Sequence, residues 1–234
     1  AGIFRPGIPA VSAPQEPEVL EALSGAAAAA GVPLRVVDAP VEAALPLGLA
    51  GSHQRLNAAL ALTLLRAAGF APSAEAVAKG LAGVCWPGRF QRLTMGGTGL
   101  VLDGAHNPHA ARRLAATWRE EYGAQRCRLV FGALEDKDPA AVLAELLPIA
   151  GEVFLVRVDS PRASDPARLA GSVEAAKIPV HTVHTLSQAW KELFEHQKTA
   201  PEAPQCPVLL AGSLFLVGEA LAMISGRQPT PRTQ

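Results

Sequence analysis

The sequence predicts an α/β protein whose second half is a Rossmann-like domain with a mostly parallel sheet. From about residue 99 onward, short apolar segments alternate strictly with segments of helical periodicity. Strand–helix units repeated in this way place helices on both faces of a parallel sheet. Residues 1–86 contain only two clear strands, which is too little for a self-sufficient α/β domain. We therefore expect them to be the remainder of a larger domain.

The elements of the second half follow from this alternation. Strands are predicted at Leu100–Asp103, Arg128–Phe131, Val153–Val158, Val180–Val183 and Val208–Ala211. Helices are predicted near Pro108–Tyr122, Pro139–Ile149, Asp165–Ala176, Ser187–Glu195 and Leu216–Ile224. Gln91–Thr94 and Gly99–Asp103 are predicted to form a hairpin, because the two segments flank the glycine-rich turn Met95–Thr98.

The first half is predicted to hold strands at Pro9–Ala13 and Leu34–Val37. Helices are expected from the Pro14–Pro17 segment to Gly31, over Gly51–Ala68, and from Ser73 onward. The change in sequence character near Pro87 predicts domains at 1–88 and 89–226, followed by a tail at 227–234.

Composition excludes several classes of protein. The chain is 49% hydrophobic and 18% charged, so it can bury a core, and its 21 basic residues balance 21 acidic ones. A net charge of zero gives no general attraction to nucleic acid or to an anionic membrane, and no apolar run approaches the ~20 residues of a membrane span. Three scattered cysteines predict neither zinc nor a disulfide framework, and they favour a cytoplasmic protein.

The most informative residues follow the first strand of the second half. Asp103, His106 and Asn107 come directly after the apolar run Leu100–Leu102. In open α/β folds, ligands bind at the carboxyl ends of the strands. A carboxylate there can accept ribose hydroxyls, and a histidine can hold an anionic group. The alternative is that Asp103 only caps the next helix, with His106 packed beside it.

Two further candidates lie before this segment. Arg89 lies in a glycine-containing turn near the predicted domain boundary, and its planar guanidinium suits phosphate oxygens. An exposed, salt-bridging arginine is the alternative. Asn57 is followed by two alanines, which leave a small-residue surface on which a planar ring could lie. An ordinary polar helix face is the alternative there.

Two candidates follow later strands. Ser213 lies at the start of the last predicted helix, where free amides and a hydroxyl can bind an anion, or where the serine serves only as a cap. Arg162 could reach a substrate carboxylate or lie in a surface loop. Asp138 is expected to be a helix cap.

Taken together, these segments resemble the folylpolyglutamate synthase/dihydrofolate synthase family of the Mur ligase superfamily. Leu102–Pro108, with the residues Leu-Asp-Gly-Ala-His-Asn-Pro, carries most of the resemblance. The other segments agree in order: Ala1–Gly7, Gly51–Gln54 with Asn57, Pro87–Gln91, Phe131–Leu134 with Asp136–Asp138, Ser160–Ala163 and Gly212–Leu214.

The resemblance implies an ATP-dependent ligase that uses Mg²⁺ and adds L-glutamate to dihydropteroate, to folylpolyglutamate or to both, through an acyl phosphate. It implies a central ATPase domain followed by a Rossmann-like ligase domain. Asn57 would contact adenine, Arg89 the ATP phosphates and Asp103 the nucleotide. His106 and Ser213 would bind the incoming glutamate, with Arg162 as a weaker candidate. Catalysis would rest on His106 and Asp103, and nucleotide would lie between the two halves.

The family's phosphate loop, pterin pocket and metal ligands have no counterpart in this sequence. We therefore expect no metal ligand here, and we expect an N-terminal half of the same protein as a partner. Without it, these residues should have no ligase activity and at best weak affinity for nucleotide. A Mur-type peptidoglycan ligase and a non-catalytic nucleotide-binding module are the alternative functions.

Overall fold

The structure is a computed structural model that describes residues 2–95, 97–199 and 206–226. The chain folds into two compact units, Ala1–Cys85 and Trp86–Gln234. The turn after Cys85 belongs to the second unit because the Gly88 carbonyl accepts a hydrogen bond from the Gly104 amide at 2.8 Å. The domain bounds 1–88 and 89–226 remain predictions, and the predicted tail at 227–234 lies outside the described residues.

The first unit contains a small parallel sheet and three helices. Its elements are β1 (Ala10–Ser12), α1 (Pro17–Ala29), β2 (Leu34–Val36), α2 (Ser52–Ala67) and α3 (Ala74–Ala82). Strand β1 pairs with β2 in parallel. Local sequence explains the helix starts: Pro17 occupies the first turn of α1, and the Ser73 hydroxyl accepts from the Ala76 amide at the start of α3.

The second unit alternates strands and helices as predicted. Its elements are β3 (Gln91–Met95), β4 (Thr98–Leu102), α4 (Pro108–Tyr122), β5 (Cys127–Phe131), α5 (Pro139–Leu146), β6 (Ala150–Val156), α6 (Ala167–Ala175), β7 (Val180–Val183), α7 (Leu186–Thr199), β8 (Val208–Ala211) and α8 (Leu214–Ile224). Short 3-10 turns at Glu135–Lys137 and Leu147–Ile149 flank α5.

The six-stranded sheet has the order β3-β4-β8-β5-β6-β7. Only the predicted β3–β4 hairpin is antiparallel, and the other neighbours are parallel. The last strand, β8, inserts between β4 and β5, so Leu210 pairs with Leu102 on one side and with Val130 on the other. The α/β class with a mostly parallel sheet is confirmed.

The central strands are buried on both faces. Val101, Leu129 and Leu209 are each fully inaccessible to solvent, which explains why these strands read as continuous apolar runs rather than as alternating ones. Helices cover both faces of the sheet. The strands β4, β8 and β5 are therefore closely packed, and their carboxyl ends are held in fixed positions. No helix among the described residues is long and apolar enough to cross a membrane.

Candidate active site

The loops that follow β4, β8 and β5 are joined by backbone hydrogen bonds. The Gly212 amide donates to the Ala105 carbonyl at 3.0 Å, and the Gly132 amide donates to the Ala211 carbonyl at 3.3 Å. The loop after β6 continues the series, because the Ser164 amide donates to Ala133 at 3.0 Å. We call this row of loops, together with the 86–90 turn, the carboxyl edge. It brings the segments of Arg89, Asp103, His106, Arg162 and Ser213 to one edge of the sheet.

Close approach of these loops requires glycine at position 212. Gly212 has φ +107°, a region that L residues rarely adopt, and a Cβ there would lie 2.6 Å from the Gly132 carbonyl oxygen and 2.8 Å from the Phe131 ring. The glycine before Ser213 is thus explained by the junction between two strand ends.

Asp103 uses both carboxylate oxygens inside the protein. Its Oδ2 accepts from the Phe90 amide and its Oδ1 from the Ala105 amide, each at 2.8 Å. Burial raises the pKa of the Asp103 carboxyl above its ordinary value, against the opposing effect of these two amides and of the Arg89 charge. A carboxylate offers about four acceptor positions, so these two amides do not saturate it.

The alternative interpretation of Asp103 as a helix cap is wrong. Asn107 is the N-cap of α4, and its Oδ1 accepts from the Ala110 amide at 2.8 Å. Asp103 lies before this cap and connects the strand end to the 86–90 turn instead.

His106 is half-buried, with its Nδ1 at 2.8 Å from the Gly104 carbonyl oxygen. A carbonyl can only accept, so Nδ1 carries the hydrogen, and in the neutral ring Nε2 is left as an acceptor. The backbone of its own loop thereby orients the imidazole before any ligand arrives.

Arg89 is exposed, and its guanidinium carbon lies 5.9 Å from the centre of the Trp86 ring. Among the residues that the structure describes, no acidic side chain lies within ion-pair distance of it, in contrast to the salt-bridged alternative. A cation held over an aromatic face and turned to solvent can bind an anion.

Ser213 and Arg162 differ in accessibility. Ser213 is 2% exposed and is the N-cap of α8, accepting from the Phe215 amide at 3.1 Å. The cap interpretation is therefore confirmed, and a substrate role remains a prediction. The Arg162 side chain is 59% exposed and lies 3.4 Å from Asp136, a weak surface pair that a ligand carboxylate could replace.

Asn57 belongs to the first unit, in the second turn of α2. Its Nδ2 donates to Gln54 Oε1 at 2.9 Å, one turn earlier on the exposed surface of the helix. This bond fits the polar-face alternative, and contact with adenine remains a prediction.

One residue of the carboxyl edge was not singled out by sequence reasoning. The Gln91 side-chain oxygen accepts from the Gly88 amide at 3.0 Å. Its place directly after the Gly-Arg-Phe turn and at the start of a strand was the available signal.

Asp138 caps α5 as predicted, accepting from the Ala141 amide. The described residues contain no group of three or more His, Cys, Asp or Glu side chains that could hold a metal ion.

Comparison with known proteins defines the class of this domain. The family model described as "Mur ligase, glutamate ligase domain" matches residues 88–214. The chain therefore belongs to the Mur ligase family.

Its relatives narrow the assignment within that family. The dihydrofolate synthase/folylpolyglutamate synthase of Bacillus subtilis is 31% identical over 252 residues, covering 94% of this chain and 55% of the relative. The corresponding protein of Escherichia coli is 31% identical over 172 residues, covering 74% of this chain and 38% of the relative.

Solved structures agree with these relatives. A folylpolyglutamate synthase of Mycobacterium tuberculosis complexed with ADP and AMPPCP superposes with a TM-score of 0.81 at 29% identity, over 95% of this chain and 56% of that one. A bifunctional synthase with Mn, AMPPNP and L-glutamate bound gives 0.77 at 28% identity, over 96% of this chain and 55% of that one. The chain thus spans about half the length of the solved relatives it matches.

Proposed function

We propose that this chain supplies the glutamate-ligase domain, and part of the ATP-binding domain, of an ATP-dependent ligase that joins L-glutamate to dihydropteroate or to a folate. The observation that carries the proposal is the carboxyl edge. There a histidine with a fixed tautomer and a buried carboxylate follow the end of β4. An arginine that makes no ion pair among the described residues lies in the 86–90 turn at the same edge of a domain matched to glutamate ligases.

The proposed reaction follows from the weakness of a carboxylate as an electrophile. The substrate carboxylate attacks the γ-phosphorus of ATP and releases ADP, which gives an acyl phosphate. The amine of glutamate then attacks the acyl carbon, phosphate leaves, and the ammonium proton is lost to a base. Such catalysis consists mainly of positioning and charge neutralisation.

Each residue then has a role that suits its chemistry. Arg89 binds ATP phosphate oxygens, and Asp103 accepts from the nucleotide with its remaining lone pairs. His106 is proposed to contact the incoming glutamate, aided by Arg162 toward a carboxylate, with Ser213 fixing the loop beside them. Asn57 is proposed to contact adenine. The described residues contain no set of ligands for a complete magnesium site, so none of them is given the role of binding the metal.

The relatives favour this function over the alternatives. Those named above are folate synthases, and two of the complexes hold adenine nucleotides. A peptidoglycan ligase would add a different amino acid, and a non-catalytic module would bind nucleotide without binding glutamate.

Three free cysteines, one of them exposed, support a reducing cytoplasm as the location.

Glutamate binding by the full 234-residue chain tests the proposal directly. We expect L-glutamate, but not D-glutamate or L-alanine, to shift the amide NMR signals of Gly104–Asn107. His106→Ala should weaken this binding about tenfold, the effect of losing one hydrogen bond to a charged group. His109→Ala is the matched control, because His109 is exposed on α4 only three residues further on. Equal effects of the two substitutions would contradict the role of His106.

Catalysis requires a second experiment. The segment of the Bacillus relative that matches this chain is replaced by the chain, and glutamate transfer to dihydropteroate and to tetrahydrofolate is measured with ADP release. We expect one ADP per amide bond formed. A hybrid that folds and binds ATP but transfers only another amino acid would favour the peptidoglycan alternative, and one that transfers none would favour the non-catalytic module.

A further inference from the structure

In the turn that carries Arg89, the backbone amides of Gly88, Arg89 and Phe90 all donate hydrogen bonds within the second unit. The Gly88 amide donates to Gln91 Oε1 at 3.0 Å, the Arg89 amide to the Trp86 carbonyl at 3.1 Å, and the Phe90 amide to Asp103 Oδ2 at 2.8 Å. These amides are therefore not available to bind an anion. The turn presents the Arg89 side chain instead.

The conformation of this turn is unfavourable by itself. Gly88 has φ +73°, and Phe90, which is not a glycine, has φ +43°. A residue with a side chain, such as Phe90, persists in the left-handed region only where its surroundings determine its conformation. Phe90 is fixed by two contacts. Its amide donates to Asp103, and its buried ring lies beside that of Trp118, with 6.3 Å between the ring centres.

The Gly88 side is held by Gln91. Gln91 is the first residue of β3 and pairs with Leu102, so the sheet fixes its backbone. The side chain turns back three residues and accepts from Gly88, whose own carbonyl accepts from Gly104 at 2.8 Å. Arg89 thus lies between two fixed neighbours while its guanidinium stays exposed.

We propose that Gln91 is a positioning residue for Arg89, which it acts on through the Gly88 amide without touching the ligand. This rests on the proposed function, in which Arg89 binds ATP phosphate. Loss of the Gln91 acceptor leaves a partly buried N–H unsatisfied and frees one end of the turn. Arg89 then has to be ordered at the moment of binding, which lowers affinity for phosphate.

Three substitutions in the full chain test the proposal. Gln91→Met removes the acceptor and keeps the length of the side chain. Gln91→Glu keeps an acceptor oxygen. Gln125→Met makes the same change at an exposed glutamine of the second unit, whose hydrogen bonds to Trp118 and Tyr122 are made by its backbone. Circular dichroism and urea unfolding verify that each variant folds.

Amide hydrogen exchange reports on the turn without any ligand. We expect Gly88 to exchange at least tenfold faster in Gln91→Met, and within threefold of the original rate in Gln91→Glu and Gln125→Met. Leu129, in the middle of the sheet, should exchange at its original rate in all three. Unchanged exchange at Gly88 in Gln91→Met would overturn the proposal, whatever the nucleotide measurements give.

Titration with ADP reports on Arg89. We expect Gln91→Met to weaken ADP binding about tenfold, Arg89→Ala to weaken it at least as much, and the double variant to be no weaker than Arg89→Ala alone. Normal affinity in Gln91→Met, or additive losses in the double variant, would overturn the positioning role. An Arg89→Ala variant that binds ADP normally would instead contradict the proposed function at Arg89, and amide exchange would still decide whether Gln91 holds the turn.

Discussion

Asp103 shows how a single carboxylate can serve both the fold and a ligand. Its two oxygens accept from the amides of Phe90 and Ala105, and they hold the 86–90 turn against the end of β4. Burial of this carboxylate costs free energy, which its raised pKa expresses. The residue therefore contributes geometry at a cost in stability.

The pH dependence of stability should reveal that cost. Because the pKa of Asp103 is higher in the folded than in the unfolded chain, the folded state binds more protons between the two values, and its free energy of unfolding falls as pH rises through that window. Asp103→Asn does not titrate. We expect the unfolding free energy of the original chain, minus that of Asp103→Asn, to decrease as pH rises above about 4 in urea titrations. A difference that is constant or that grows with pH would contradict this.

Cys127 provides a second prediction at the residue scale. Burial raises the pKa of its thiol to about 12, and the side chain is 1% exposed, whereas Cys85 is exposed. The thiolate is the reactive form, so a disulfide reagent near neutral pH should modify Cys85 in the folded chain and Cys127 only on unfolding. The control is Cys85→Ser combined with Cys206→Ser, because Cys206 is partly exposed, and this variant should lose the fast phase. A fast phase that persists and maps to Cys127 would contradict the structure.

Sequence reasoning located Asp103 but not its partners. The apolar run before it and the helix after it predicted a strand end, since both depend on local periodicity. Its bond to Phe90 depends on the register that places Gln91 opposite Leu102 and on a positive φ at a phenylalanine. Neither is encoded locally, because a positive φ is expected of glycine rather than of phenylalanine. Gln91 was missed for the same reason.

At the scale of elements, the order of the strands explains why distant motifs meet. Strand β8 is the last strand of the described residues, yet it lies between β4 and β5, which brings the loop at Gly212 beside those at Ala105 and Gly132. The alternation of strands and helices was predictable from sequence. The insertion of β8 was not, since strand order depends on packing between segments far apart in the chain.

Gly212→Ala tests this junction. The new Cβ would lie 2.6 Å from a backbone oxygen at a φ of +107°, so two strand ends would have to move apart. We expect a loss of about 2 kcal/mol or more in the free energy of unfolding, measured by urea. Gly171→Ala is the control: it lies within α6 with open space around its Cβ position, and it should gain about 0.5–1 kcal/mol. Equal effects of the two substitutions would contradict the described junction.

At the scale of the whole molecule, the two units differ in how much they bury. The sheet of the second unit has six strands with a core on both faces, whereas that of the first has two strands of three residues each. The first unit also exposes large apolar side chains, among them Ile8 and Phe70, which line a cavity of about 690 Å³. A two-stranded sheet is marginally stable in water.

Hydrogen exchange of the full chain should therefore separate the units. We expect the amides of β4, β5 and β8 to exchange at least a hundredfold more slowly than those of β1 and β2, because opening the second unit exposes far more apolar surface. Gly212→Ala should accelerate the slow amides and leave those of the first unit unchanged, since the substitution lies within the second. Acceleration of both sets by the same factor would show that the chain unfolds as one cooperative body, and would contradict the independent stability argued from the size of the two sheets.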